Sequence, residues 1–173
     1  MRIALFILAL LVLLLLYAAT KPSTLRVQRA ITINATPHKV FLLINDFHNW
    51  NKWAPQDKQD PTMVRTFSGA PDGTGAISDW TSTGSAGQGH MAITESVPDH
   101  RVQVQVDFRK PFHAHNTNTF ELEPAGNGTT VTWTMQTTNR YFLKLLAVFL
   151  NMERMFGRHF EIGLRNLKSI SEE

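Results

Sequence analysis

The chain has 173 residues, and setting aside roughly the first twenty leaves about 150, the size of one ordinary domain. Its formal net charge is +3 at pH 7 and its pI is close to 9.4, but the Lys and Arg residues are scattered rather than clustered. We therefore expect no nucleic-acid partner. The sequence contains no cysteine, which excludes disulfides, thiolate catalysis and Cys-ligated metal.

The N-terminal stretch Ile3–Ala19 is an unbroken apolar run. At about 1.5 Å per residue, a helix of this length is near the lower limit for crossing a hydrocarbon core of about 30 Å. We interpret residues 1–20 as an uncleaved transmembrane anchor, which predicts a single-pass membrane protein. The alternative is a cleaved signal peptide, since Arg2 supplies a minimal basic start, but cleavage after Ala19 would place the bulky Tyr17 at the −3 position. The basic residues on the two flanks do not indicate the side of the membrane.

A different pattern begins after a short polar linker, residues 21–24. Apolar and polar residues alternate over residues 25–33, which predicts a half-buried strand. Thr36 and Pro37 then supply an N-cap and a proline for the first helical position. Apolar residues follow at helical spacing: Val40, Phe41, Ile44 and Phe47. This short helix is expected to break within residues 49–55.

Six further strands are predicted, because strand-forming runs recur about every ten to thirteen residues with turn sequences between them. These strands are Met63–Ser68, Ala76–Ser82, Gly89–Val97, Arg101–Arg109, His115–Glu123 and Thr129–Thr138. The alternation is clearest where Val102, Val104 and Val106 are separated by glutamines. Alternation of this kind is typical of an antiparallel sheet with one covered face and one face in water.

The C-terminal part of the chain returns to a helical period from Tyr141 onwards. Gly157 and Gly163 fall inside this pattern, so we expect them to interrupt it and to separate a short helix from a longer terminal one. The order of the predicted elements is one strand, a small helical pair, six strands and a long C-terminal helix. It predicts an α+β fold in which a curved antiparallel sheet of about seven strands wraps around the terminal helix.

Five short motifs carry a resemblance to a known fold family. They are Ile31-x-Ile33-x-Ala35-x-Pro37-x-x-Val40-Phe41, Asn45-Asp46-Phe47-x-x-Trp50-x-x-Trp53-x-Pro55, Gly75-x-x-x-x-Trp80, Gly87-x-Gly89-x-Met91-x-Ile93 and Phe160-Glu161-x-Gly163-Leu164-x-x-Leu167-Lys168. In this order they resemble the START-like SRPBCC superfamily with its helix-grip fold, which includes plant pollen allergens, lipid-transfer domains and polyketide cyclases. The resemblance is closest to the polyketide cyclase/dehydrase-like bacterial branch. It covers residues 25 to about 170, so we assign residues 25–173 to one such domain.

The resemblance implies a hydrophobic cavity between the sheet and the C-terminal helix, occupied by a hydrophobic small molecule or lipid. The residues that we take as candidates to line this cavity are Trp80, Met91, Ile93, Val104, Val106, Phe120, Trp133, Met135, Phe160 and Leu164. In a fold of this kind the interior and the cavity are the same place. Each candidate is therefore equally a candidate for the packed core.

The tryptophans are the most informative large side chains. Trp80 lies among small polar residues, and the alternation around it points its ring inward while its neighbours face water. Trp50 and Trp53 are three residues apart and share a face of one helical turn. We expect this pair to plug the corner between the helices and the sheet, the alternative being a gate at the cavity mouth.

The histidines are the only side chains suited to acid–base chemistry near neutral pH. His113 and His115 are expected on one face of a strand, but a lone HxH without a third ligand is a weak metal signal. We therefore expect no metal and no other cofactor. His90 and Glu95 are separated by an odd number of positions, so a regular strand would point them to opposite faces. Two further histidines are assigned to exposed helix surfaces: His48 and His159.

The segment Arg140–Phe156 carries more apolar side chains than one narrow helical stripe needs. We interpret it as a wide buried face, the alternative being a lid that touches the bilayer and admits lipid.

Three functions remain open at this level. We adopt a membrane-anchored binding domain for a hydrophobic small molecule or lipid, with no catalytic residue assigned. The alternative is a cyclase/dehydrase-type enzyme that uses an interior His or Asp as general acid–base. A third is an interaction module with a collapsed core, which an internal space of several hundred Å³ would exclude.

Overall fold

The computed structural model describes residues 24–111, 113–138 and 151–173, together with residues 6, 10, 12, 13, 16, 17, 19 and 20. One seven-stranded sheet runs through these ranges. Its strands are β1 (Thr24–Ile33), β2 (Val64–Gly69), β3 (Ala76–Thr81), β4 (Gln88–Val97), β5 (Arg101–Lys110), β6 (Ala114–Ala125) and β7 (Gly128–Thr138). All seven predicted strands are confirmed, with ends that differ by one or two residues.

The strands are ordered β1-β7-β6-β5-β4-β3-β2, and every pair is antiparallel. Strands β2 to β7 follow one another as hairpins, whereas β1 pairs with β7 and the chain must then cross to the far edge. The segment that makes this connection, between β1 and β2, contains the short helices. Because the register is regular over most of the sheet, inward residues form rows: Val106, for example, lies between Met91 on β4 and Asn116 on β6. The predicted alternation of a covered face and a wet face is confirmed.

The helices are α1 (Pro37–Asn45), a 3-10 turn (Phe47–Asn49), α2 (Trp50–Trp53), α3 (Pro55–Gln59) and α4 (Met152–Ser171). The predicted start of α1 is confirmed, since the Thr36 hydroxyl accepts from the Lys39 N–H at 3.4 Å and Pro37 occupies the first turn. At the other end, the last carbonyls of α1 lack helical partners. The two indole N–H groups supply them: Trp50 donates to the Ile44 carbonyl at 2.9 Å and Trp53 to the Leu43 carbonyl at 3.0 Å.

These two indoles belong to an aromatic cluster at the corner where helices and sheet meet. Trp53 is fully buried and makes edge-on contacts with Phe120 and Trp133. Trp133 in turn stacks flat on Phe160 of α4, with ring centroids 4.1 Å apart and an angle of 11° between the planes. Both rings are buried at this corner, as expected, and Trp50 in addition lines the cavity described below.

Helix α4 corrects one expectation from the sequence, because it runs unbroken through both of its glycines. The glycines are close-packing positions instead of breaks. A Cβ at Gly163 would lie 2.9 Å from the Trp133 ring, and one at Gly157 would overlap the guanidinium of Arg29. Glycine costs a helix about 1 kcal/mol relative to alanine, and here that cost lets the helix lie against the sheet.

Arg29 on β1 fastens α4 to the sheet through two carboxylates. Its guanidinium contacts Glu153 and Glu161 at 2.8 Å each, and these residues stand one helical turn to either side of Gly157. The hydrogen bonds that Arg29 donates, first to Glu153 and then to Glu161, raise the pKa of its guanidinium above the ordinary value. The guanidinium thus bridges two turns of helix across the bare backbone of a glycine.

Replacing Arg29 with Gln is expected to lower the melting temperature, because it removes both ion pairs between β1 and α4. Arg26→Gln is the matched control: Arg26 is exposed on the same strand, and among the described residues its guanidinium bonds only the Gln28 side chain. Thermal unfolding in 0.05 M and 1 M NaCl measures the effect. The difference between the two variants should shrink in high salt, since salt screens partly exposed pairs. Equal melting temperatures of the two variants at low salt would contradict a stabilising role for the Arg29 ion pairs.

Most of the predicted anchor Ile3–Ala19 lies outside the described residues, as do residues 140–150 of the segment Arg140–Phe156, which we interpret as a wide buried face or, alternatively, a lid. The positions of the first segment that are described are helical up to residue 19, and their large apolar side chains are exposed, for example Phe6 at 66% and Leu13 at 61%. Within the described positions, no helix combines the length and apolarity needed to cross a membrane.

Candidate ligand cavity

A cavity of about 580 Å³ lies between the concave face of the sheet and the N-terminal half of α4. From the helix it is lined by Met152, Met155, Phe156, His159 and Phe160. The C-terminal half of α4 instead enters the closed core, where Leu164 and Leu167 are fully buried. An open space of this volume is inconsistent with the collapsed-core interaction module.

Six of the ten candidate residues line this cavity: Trp80, Met91, Val106, Trp133, Met135 and Phe160. The other four do not line it: Ile93, Val104, Phe120 and Leu164. Each of those four is at most 1% exposed and packs in the closed core instead. The division runs across the sheet, because residues two positions apart on one strand face the same way, but one borders open space and the other packed side chains.

Trp80 forms one end of the cavity, and a glycine on the next strand makes room for it. Gly89 lies opposite Trp80 in the β3–β4 register, and a Cβ at Gly89 would overlap the six-membered ring of the indole. Phe108 packs edge-on against the same indole with centroids 5.4 Å apart, and the Trp80 N–H donates to the Ala86 carbonyl at 3.0 Å. The inward orientation predicted for Trp80 is confirmed, and the ring is held on three sides.

Asp60 is a buried carboxylate on the cavity wall that no sequence pattern singles out. It accepts hydrogen bonds from the Ser82 hydroxyl (2.7 Å), the Thr62 hydroxyl (2.6 Å) and the backbone N–H groups of Ala86 (2.9 Å) and Thr62 (3.1 Å). These bonds, led by that from Ser82, hold the pKa of Asp60 far below its ordinary value. The carboxylate ties the 82–86 loop to residues 60–62, and Gly84 allows that loop to pass close beside it.

Arg65 is a second charged residue of the wall, and its charge is compensated. The guanidinium makes a two-pronged pair with Asp57 of α3, at 2.6 and 2.8 Å, and a third bond to the Ser78 hydroxyl at 3.1 Å. Both side chains are about nine-tenths buried. This geometry leaves little of the guanidinium for a ligand anion.

His159 corrects another expectation, because it lies on the cavity wall and not on an exposed helix surface. Its Nε2 atom is shielded from water and has no hydrogen-bond partner in the part of the chain that the structure describes. Burial lowers the pKa of the imidazole below its ordinary value, so the ring is neutral at pH 7. An unpaired buried polar atom costs about 1–3 kcal/mol, and such atoms are uncommon in folded proteins.

Two asparagines of β6 also face the cavity. Asn118 accepts the Trp133 indole N–H on its Oδ1 at 2.9 Å, which leaves its NH₂ group open. Asn116 is 8% exposed, and its side chain makes no hydrogen bond with any described residue. A signal for both was present in the sequence, since they occupy inward positions of the β6 alternation where apolar residues are the rule.

The other histidines of the sheet lie on its outer face. His90 contacts Asp79 at 3.1 Å, not Glu95, and His115 contacts Asp107 at 2.5 Å. His113 precedes β6, so it does not share a strand face with His115 as expected. Among the described residues no three His, Asp or Glu side chains are grouped so that they could hold a metal ion.

A seven-stranded antiparallel sheet closed by a long C-terminal helix over an apolar cavity defines the helix-grip class of domains. The chain belongs to the family described as polyketide cyclase/dehydrase and lipid transport, whose model matches residues 24–172. No curated protein matches the sequence.

Solved structures share the fold at low identity. Protein CV1439 from Chromobacterium violaceum is 17% identical, with a TM-score of 0.61 over 88% of this chain and 99% of that chain. An uncharacterized protein from Rhizobium leguminosarum is 15% identical, with a TM-score of 0.64 over 86% and 95%. The di-domain ARO/CYC StfQ from the steffimycin biosynthetic pathway is 9% identical, with a TM-score of 0.61 over 86% of this chain and 51% of its own. At these identities the likeness shows the fold alone.

Asp60→Asn is expected to destabilise the protein at neutral pH, because an amide nitrogen cannot accept the bonds that the carboxylate accepts. The pKa of Asp60 is lowered in the folded state, so its contribution is complete above the unfolded value of about 3.9 and is lost as pH falls below it. Urea unfolding at pH 7, 5 and 3 measures the effect. The gap in unfolding free energy between wild type and variant should be constant from pH 7 to 5 and smaller at pH 3.

Glu123→Gln is the control for this series, since Glu123 is exposed on β6 and makes no side-chain hydrogen bond with a described residue. It should show a small gap throughout. A gap for Asp60→Asn that stays the same at pH 3 would mean that the folded protein does not hold this carboxylate ionised.

Proposed function

We propose that this protein is a membrane-anchored binding domain that holds a hydrophobic small molecule or lipid in the cavity between its sheet and α4. The observation that carries the proposal is the cavity itself: about 580 Å³, with a wall that is mostly apolar and rich in Trp, Phe and Met side chains. Pockets for small ligands are typically about 300–1,000 Å³. Each methylene buried in such a space contributes about 0.8 kcal/mol, so an apolar chain or ring system binds without a charged anchor.

An enzyme of the cyclase/dehydrase type is the second candidate, and the family membership favours it. The cavity wall offers two titratable groups for general acid–base chemistry, His159 and Asp60. Asp60 is saturated by hydrogen bonds and its lowered pKa makes it a weak base. His159 has no described carboxylate hydrogen-bonded to it to orient or charge the ring. The arrangement therefore supports binding better than proton transfer.

Two inward valines of β5 lie in different surroundings: Val106 borders the cavity, and Val104 is packed in the closed core. Val106→Phe is expected to fill part of the cavity and to leave the unfolding free energy nearly unchanged, because Val106 borders open space. Affinity for the neutral fluorescent probe N-phenyl-1-naphthylamine should fall about tenfold, the loss of roughly two methylenes' worth of contact. Val104→Phe is the matched control: Val104 is 0% exposed in the closed core, so overpacking should cost about 1–3 kcal/mol of stability.

The measurement uses the full-length chain in lipid nanodiscs, with probe fluorescence in protein-free nanodiscs subtracted. Urea unfolding of the same samples supplies the stabilities. Mass spectrometry of organic extracts of the purified wild type and Val106→Phe identifies what the cell provides. Unchanged probe affinity and unchanged extracts in Val106→Phe would contradict binding in this cavity.

Retention of the N-terminal segment is the part of the proposal that concerns location. The apolar run Ile3–Ala19 and the exposed apolar side chains at its described positions support an anchor over a soluble helix. Intact-mass measurement of the protein extracted from membranes is expected to give the full 173-residue chain. A mature species that begins near Ala19 or Lys21 would identify a cleaved signal peptide instead.

A further inference from the structure

We propose that Asn116 and Asn118 form a polar subsite on the apolar wall of the cavity, and that this subsite takes the carbonyl oxygen of a neutral, otherwise apolar ligand. Both residues line the cavity from strand β6 of the sheet. The inference rests on the proposed binding function and deepens it by naming the ligand's chemical class.

Asn116 lies in the middle of a row of residues that crosses five strands of the sheet. Its neighbours in register are Val106 on β5 and Thr137 on β7, and the row continues to Met91 on β4 and Leu25 on β1. All five residues line the cavity. Thr137 donates its hydroxyl to a backbone carbonyl of β6 at 2.9 Å. Asn116 is therefore the polar member of the row whose side chain has no partner among the described residues.

Asn118 stands two positions further along the same face of β6, and Trp133 fixes the orientation of its amide. An indole N–H can only donate, so the atom that accepts it at 2.9 Å is the amide oxygen of Asn118. The NH₂ group is then the free end of the side chain, and it bonds no described residue. Asn118 thus presents hydrogen-bond donors to the cavity, and Asn116 adds an amide with both of its ends uncommitted.

The two amides are within reach of a ligand. Asn116 and Asn118 are 8% and 7% exposed, and no unpaired side-chain atom of either residue is fully shielded, in contrast to the Nε2 of His159. The charged groups Arg65 and Asp60 are already engaged by the bonds described above. Hydrogen-bonding capacity on the sheet side of the cavity is therefore concentrated at the two asparagines.

The absence of charge at the subsite selects a neutral ligand. Of the described cations on the cavity wall, Arg65 is compensated by a carboxylate and Lys110 is exposed to solvent, and the lowered pKa of His159 keeps its ring neutral at pH 7. A ligand carboxylate would be buried among uncharged amides, and a buried charge without a partner is unfavourable. A carbonyl oxygen carries no charge and accepts two hydrogen bonds, which two NH₂ groups can supply.

The test uses two probes that differ in one group, 2-acetylnaphthalene and 2-ethylnaphthalene, with 2-naphthoate as the anionic counterpart. Dissociation constants are measured at pH 7 by displacement of N-phenyl-1-naphthylamine from the full-length chain in lipid nanodiscs, with protein-free nanodiscs as background. Asn116→Leu removes the hydrogen-bonding groups at nearly constant size. We expect it to weaken binding of 2-acetylnaphthalene about tenfold relative to 2-ethylnaphthalene, the value of one hydrogen bond to a buried carbonyl. The wild type should bind 2-naphthoate least tightly.

The carbonyl stretch of bound 2-acetylnaphthalene reports the same contact directly, and the difference between infrared spectra of the unlabelled and ¹³C=O-labelled probe isolates this band. It should lie at lower wavenumber in the wild type than in Asn116→Leu, because a hydrogen bond weakens the C=O bond. Thr119→Leu is the matched control on the outer face of β6 and should change neither the affinity ratio nor the band. Asn118→Leu should change the ratio and also lower the melting temperature, since it leaves the Trp133 N–H without its acceptor.

The outcomes are distinguishable. If 2-ethylnaphthalene binds the wild type but the affinity ratio and the band are the same in Asn116→Leu, the cavity binds apolar molecules and the asparagines are not a subsite. If the wild type binds 2-naphthoate more tightly than 2-acetylnaphthalene, the ligand class is wrong. If the wild type binds none of the three probes, the proposed function fails and the subsite fails with it.

Discussion

The stack of Trp133 on Phe160 fixes how far α4 can approach the sheet, and the rest of the interior depends on that distance. Beyond the stack, Gly163 removes the side chain that would keep the helix away, and the C-terminal half of α4 closes onto the core. Before the stack, the helix presents Met152, Phe156 and similar side chains to an open space. One aromatic contact therefore divides a single concave sheet face into a packed half and a hollow half. Because α4 is one continuous helix, the packing of its C-terminal half in the core also holds its N-terminal half in place along the cavity.

Buried charges in the hollow half would be costly without partners, and the fold satisfies the two described ones, Asp60 and Arg65, within the protein. The bonds that hold Asp60 also close the 82–86 loop beside Trp80, and the Arg65–Asp57 pair joins β2 to α3 at the edge of the cavity. Polar groups here therefore serve as structural links between loops and helices. A ligand therefore meets mainly apolar surface in the hollow half.

Sequence patterns predicted the elements well because each depends on local spacing. The period-two alternation assigned Val104 and Val106 to the same inward face, and the structure agrees. It could not show that one borders the cavity and the other the core, since that depends on which helix covers each part of the sheet, and α1 contacts β5 and β6 whereas α4 contacts β1. His159 was misplaced for the same reason: the narrow stripe Phe160, Leu164, Leu167 describes a helix on a closed core, not a wall. Local spacing also predicts a helix break at Gly157, because the residue that packs against it, Arg29, lies far away in sequence on β1.

The placement of the histidines bears on whether this interior performs chemistry. A general base needs both access to substrate and a partner that orients its ring. Asp79 and Asp107 each pair with a histidine on the outer face of the sheet, so these carboxylate–imidazole pairs do not border the cavity. Inside, His159 has the cavity but no described carboxylate partner. The pleat of the sheet keeps the two sets apart, because neighbouring residues point to opposite faces. Among the described residues, no hydrogen-bonded carboxylate–imidazole pair therefore faces the cavity, and this is the structural basis for proposing recognition instead of catalysis.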